Sequence, residues 1–110
     1  MLKTDGKKIK VGIIGTGNIG TDLLFKVQRS KLLECSIFAG RDPKSKGIER
    51  AKSLGIRTSA DSIRAIEAEP DICEIVFDTT SAKSHLVHAP ILKKLGKFAI
   101  DLTHSKFGQM

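Results

Sequence analysis

The chain has 110 residues, 40% of them apolar and 28% charged, and a formal net charge of +7. That is enough sequence for one domain with its own core, of ordinary globular composition. The basic residues are dispersed, with short clusters only at Lys7-Lys8 and Lys93-Lys94, and the chain has neither Trp nor Tyr to stack on bases, so no nucleic-acid partner is expected. No apolar run approaches the roughly 20 residues that span a bilayer. The polar opening residues 1–8 lack the apolar centre of a signal peptide, so neither a membrane partner nor export is expected and the cytoplasm is the expected compartment.

Taken in chain order, strand and helix patterns alternate. Residues 9–14 form a continuous apolar run, as in a strand covered on both faces. It ends in Gly15-Thr16-Gly17-Asn18-Ile19-Gly20, a G-x-G-x-x-G turn that opens a helix carrying Ile19, Leu23, Leu24 and Val27 on one face. Residues 35–39 predict a second strand, 40–47 a polar loop, 48–54 a short helix stopped by Gly55, and 56–58 a weak third strand. Asp61 or Ser62 is the expected cap of a helix running to residue 68 and ended by Pro70. A fourth strand is expected over 72–77, closed by Asp78. A helical stretch then reaches residue 95, and Pro90 either kinks it or begins a second piece. A fifth strand over 98–100 leads into Asp101-Leu102-Thr103, and 105–110 reads as loop.

Right-handed crossovers turn this pattern into an α/β fold: a Rossmann-like, doubly wound parallel sheet of order 3-2-1-4-5 in three α/β/α layers, with residues 1–110 as one NAD(P)-binding domain. Ligands of such sheets bind at the carboxyl ends of the strands. There Gly15 allows the tight turn, Gly17 the approach of a diphosphate, and Gly20 close helix–strand packing, with Thr16, Asn18 and Ile19 completing the turn. Asp42, 22 positions beyond Gly20, is placed to accept from a ribose hydroxyl of NAD. Arg41 beside it could instead pair with the 2′-phosphate of NADP, so NAD is favoured and NADP stays open. Thr79, Thr80 and Ser81, after the fourth strand, are expected to hold cofactor ribose or phosphate, although capping the next helix would explain one of them. His85, His88 and His104 lack the partners of a metal site, and none is expected. Cys35 and Cys73 have no redox or nucleophile spacing and read as reduced core residues, so no catalytic residue is identified.

Three stretches, residues 11–24, 75–82 (Ile-Val-Phe-Asp-Thr-Thr-Ser-Ala) and 101–103 (Asp-Leu-Thr), resemble the N-terminal part of acylating acetaldehyde dehydrogenases, and the resemblance runs over essentially the whole chain. It implies a parent enzyme of aromatic-compound catabolism that converts acetaldehyde, NAD and coenzyme A to acetyl-CoA and NADH. It also implies a partner, 4-hydroxy-2-oxovalerate aldolase, and gives residues 16–19 the diphosphate-binding role. His104 departs from the family, which continues Asp-Leu-Thr with proline. The family nucleophile lies in a Cys-Gly-Gly loop that this sequence does not contain. The chain is therefore expected to be an N-terminal segment with no dehydrogenase activity by itself, exposing apolar surface and prone to self-association. Two other readings are a semialdehyde-type dehydrogenase nucleotide domain and a non-catalytic nucleotide-sensing domain.

Overall fold

The computed structural model describes residues 7–103. The elements follow in the order β1 (Ile9–Ile14), α1 (Asn18–Arg29), β2 (Leu33–Ala39), α2 (Lys46–Ser53), β3 (Thr58–Ser59), α3 (Arg64–Ala68), β4 (Ile75–Asp78), α4 (Ala82–Lys94) and β5 (Phe98–Asp101), with a 3-10 turn at Pro70–Ile72. All strand pairs are parallel and the order is β3-β2-β1-β4-β5, as the sequence pattern predicts.

The continuous apolar runs of β1, β2 and β4 are explained by the two cores they serve. Ile13, Phe38 and Phe77 point to one face, where Leu24 of α1 and Ala51 of α2 pack on them. Ile14, Ile37 and Val76 point to the other, against Ile63, Ile66, Ile72 and Leu92. Alternating side chains from three neighbouring strands thus feed both outer layers. β5 is different: among the described residues it pairs with β4 alone, and every one of its residues is exposed, Phe98 at 60% and Ile100 at 41%.

Several local expectations are corrected. β3 lies at Thr58–Ser59, where only Phe38 and Ala39 pair with it, rather than over 56–58; Ile56 instead fills the core beneath α2. The second helix begins earlier than residue 48, because Ser45 caps it, its hydroxyl accepting from Ile48 N at 3.2 Å. Neither Asp61 nor Ser62 caps α3 through its side chain: the cap position is Ile63, and Ser62 sits at φ 51° with its N–H donated to Gly40 O at 3.0 Å. The fourth strand starts at Ile75, since Pro70 initiates a 3-10 turn through Ile72. Pro90 lies inside one uninterrupted helix. The carbonyl it leaves without a donor belongs to Leu86, 76% exposed, on a side of α4 where water can satisfy it. One irregularity had no counterpart in the sequence reading. The β1–β2 register shifts between Val11 and Gly12, leaving Ser36 as an extra residue whose hydroxyl donates to Ile72 O at 2.6 Å. The expectations on His104 and on residues 105–110 lie outside the described residues.

Two glycines fix the geometry on which the site depends. Gly15 has φ 109°, which L-residues rarely adopt, and a Cβ on Gly20 would overlap the Gly15 carbonyl oxygen. Gly20→Ala is therefore expected to destabilise the chain by about 1–3 kcal/mol, as overpacking against backbone does. Urea unfolding checks this, and an unchanged midpoint would contradict the close approach of α1 to the turn.

Candidate functional site

The carboxyl ends of β1, β2 and β4 open onto one crevice of about 440 Å³. It lies where the strand order reverses, with Gly15, Thr16 and Gly17 at its centre. Gly40, Arg41 and Asp42 line the β2 side, and Thr79, Thr80 and Ser81 the β4 side, so the structure brings the three predicted segments together. Arg41 and Asp42 are both exposed; Asp42 Oδ1 accepts from Lys44 N at 2.9 Å, which shapes the turn into α2. Asn18 faces a neighbouring hollow between the N-termini of α1 and α2, and Ile19 is 44% exposed beside it.

The glycine turn is held by β4. Thr79 is buried, and its N–H donates to Ile14 O at 2.8 Å. Its hydroxyl is shared between Ile14 O at 2.9 Å and Gly15 O at 3.2 Å. That hydroxyl is engaged with the protein itself, so Thr79 shapes the turn. Ser81 caps α4, accepting from Ser84 N at 3.1 Å.

Gly17 stands apart from the glycines around it. Its backbone is extended (φ −82°, ψ −159°), a conformation open to any residue, and beyond its chain neighbours a Cβ there would meet no atom of the described residues within 4 Å. Nothing in the fold requires glycine at this position. Space and free N–H groups face outward at the start of a twelve-residue helix.

Beneath the β4 side lies a cluster that the sequence reading did not nominate. Asp78, at the end of β4, is fully buried. Its Oδ1 accepts from Thr80 N at 3.0 Å and Thr80 Oγ1 at 2.5 Å. Its Oδ2 accepts from His85 Nδ1 at 2.7 Å and His88 Nδ1 at 2.8 Å. Helical spacing of three residues puts both imidazoles over one carboxylate oxygen. The same Asp-x-Thr arrangement recurs at the register partner Asp101, whose Oδ1 accepts from Thr103 N at 2.8 Å and Thr103 Oγ1 at 2.5 Å. His85 lies between the two, its Nε2 3.7 Å from Asp101 Oδ2. The recurrence of Asp-x-Thr at two strand ends is the sequence signal that could have revealed this cluster. No group of His, Cys, Asp or Glu fit to hold a metal ion occurs among the described residues.

Both cysteines are free and turned to the core. Burial pushes the Cys35 thiol up to about 12 and raises that of Cys73, so neither offers a thiolate near neutral pH. No helix among the described residues is long and apolar enough to cross a membrane.

Burial alone would push the Asp78 carboxyl up, but the hydrogen bonds from Thr80, His85 and His88 outweigh it and hold it below its ordinary value. A carboxyl held low contributes stability that is complete above its unfolded-state pKa and lost as pH falls through the folded value. Asp78→Asn is thus expected to lower Tm at neutral pH and to flatten the loss of Tm on acidification; parallel acid profiles would contradict this role. Thr79→Val, which strips the clasp from the glycine turn, is expected to cost about 1–3 kcal/mol in urea unfolding.

No protein-family model matches the chain. Curated proteins do. A protein named acetaldehyde dehydrogenase from Spirochaeta aurantia is 54% identical over 104 residues, which is 94% of this chain and 35% of that protein. Proteins of the same name from Pectobacterium atrosepticum and Geobacillus stearothermophilus are 53% and 45% identical, over 93% and 94% of this chain and 34% and 35% of their own length. The chain spans about a third of the length of the curated relatives it matches. Among solved structures, GenD2 from gentamicin A biosynthesis, in complex with NAD, superposes with a TM-score of 0.75 at 19% identity, over 87% of this chain and 28% of that one. A variant of KijD10, a 3-ketoreductase from Actinomadura kijaniata in complex with TDP-benzene and NADP, gives 0.74 at 22% identity, over 88% and 30%. These likenesses establish the Rossmann-like fold. The chain is a homologue of the acetaldehyde dehydrogenases, corresponding to their N-terminal segment.

Proposed function

We propose that the crevice binds a nicotinamide dinucleotide, NAD in preference to NADP, and that residues 1–110 form the cofactor-binding domain of an acylating acetaldehyde dehydrogenase. In that enzyme acetaldehyde, NAD and coenzyme A give acetyl-CoA and NADH, within the catabolism of aromatic compounds and beside an aldolase partner. The observation that carries the binding reading is Gly17. Its conformation does not need glycine and its surroundings do not crowd it, so the missing side chain leaves room for something outside the protein. A diphosphate held by the N–H groups of the Gly15–Gly20 turn is the ligand that such a position suits.

In this reading the turn and the start of α1 bind the diphosphate, and Asp42 accepts from the adenosine ribose. When bound, the nicotinamide supplies a hydride acceptor. The chain's own part is to orient that ring by holding the two halves of the dinucleotide on either side of the turn. Neither Cys35 nor Cys73 serves as the nucleophile, because Cys73 is buried, Cys35 is partly buried against the core, and both thiols are pushed up. The chain assayed by itself is expected to bind NADH and to form none from acetaldehyde, NAD and coenzyme A.

Gly17→Ser tests the reading with two effects of opposite sign. Serine is a better N-cap than glycine, so stability should stay level or rise by a few tenths of a kcal/mol. Its side chain would stand where the diphosphate approaches, so NADH affinity, followed by nucleotide fluorescence, should fall by about tenfold, roughly 1.4 kcal/mol. Unchanged affinity, or no NADH binding by the folded unaltered chain, would overturn the proposal.

A further inference from the structure

His85 and His88 share Asp78 Oδ2, yet their other nitrogens meet different surroundings. An ionised carboxylate only accepts hydrogen bonds, so each Nδ1 must carry the proton it donates. His85 turns Nε2 toward Asp101 Oδ2, away from the crevice. His88 is 8% exposed and lines the crevice itself. Its Nε2 has no hydrogen-bond partner among the described residues, although no buried side-chain nitrogen or oxygen among them lacks one, so Nε2 is not sealed from solvent, and it belongs to a side chain that lines the crevice. A nearly buried imidazole is thus anchored through Nδ1, with Nε2 left for a further partner.

The place of that nitrogen selects its ligand. In a sheet of this order the adenosine lies at the end of β2 and the diphosphate at the start of α1, so the second nucleoside lies on the β4 side. Ser84 and His88, one turn apart on α4, line that side. A hydroxyl both donates and accepts, so it suits a ring nitrogen with or without a proton. We infer that His88 Nε2 forms a hydrogen bond with a hydroxyl of the ribose of the second nucleoside, the sugar that carries nicotinamide. This assignment rests on the dinucleotide reading above.

ADP and ADP-ribose differ by that ribose, so together they isolate the contact. Asparagine at 88 places its amide N–H near the position of the imidazole Nδ1, which keeps the bond to Asp78, and it has nothing at the Nε2 position. His88→Asn is expected to leave ADP affinity unchanged in calorimetric titration and to weaken ADP-ribose and NADH about threefold to tenfold, the loss of one hydrogen bond. Equal weakening of ADP and ADP-ribose, or no weakening of either, would overturn the assignment while the dinucleotide reading stands. A folded, unaltered chain that binds none of the three would overturn both. If His88→Asn does not fold, the imidazole nitrogen resonances of the unaltered chain decide. Movement of the His88 Nε2 signal with ADP-ribose but not with ADP supports the contact, and no movement overturns it.

Discussion

An ionised carboxylate with no solvent access must be fully hydrogen-bonded, and Asp78 is the group that imposes this demand on the crevice. Left unpaired it would cost several kcal/mol. Four donors meet the demand, two from Thr80 and one each from His85 and His88. Meeting it fixes the first two turns of α4 relative to β4, and with them Ser81, Ser84 and the crevice wall. Thr79, the next residue, then reaches back to the carbonyls at the end of β1. The end of one strand therefore determines both the wall on its own side and the shape of the glycine turn on the other.

The G-x-G-x-x-G turn divides between two kinds of constraint. Gly15 and Gly20 answer to the fold, one through its backbone angle and the other through the contact of α1 with the turn. Gly17 answers to nothing among the described residues. A glycine motif of this spacing could in principle be wholly structural; here its middle glycine is the part that points outward.

The sheet was legible because central parallel strands buried on both faces read as unbroken apolar runs, and the strand order followed from the glycine turn and the handedness of the crossovers. β3 was misplaced because two residues pairing with Phe38 and Ala39 leave almost no pattern. Ser62 was misread as a cap because its type favours that role, whereas its left-handed backbone is set by the bond to Gly40. The crevice-lining Arg41, Asp42, Thr80 and Ser81 were legible from their places after strands. The buried cluster was not. Three-residue spacing between histidines suggests a shared metal, and a carboxylate seven and ten residues earlier is brought beneath them only by the turn between β4 and α4. The kinship with acetaldehyde dehydrogenases was carried by longer runs, residues 11–24 and 75–82, whose side chains serve the sheet and the crevice together.

The exposed fifth strand gives the platform an uneven stiffness. β1 is paired on both edges and shielded by both helical layers, so its amides should exchange with solvent only on global unfolding. Among the described residues β5 pairs with β4 alone and each of its residues is exposed, which places it at their low-stability end. The adenosine half of the crevice is thus cut into rigid ground. The half bordered by β4 and α4 leans on a softer margin, where a ligand would slow local opening and deepen hydrogen-exchange protection as it bound.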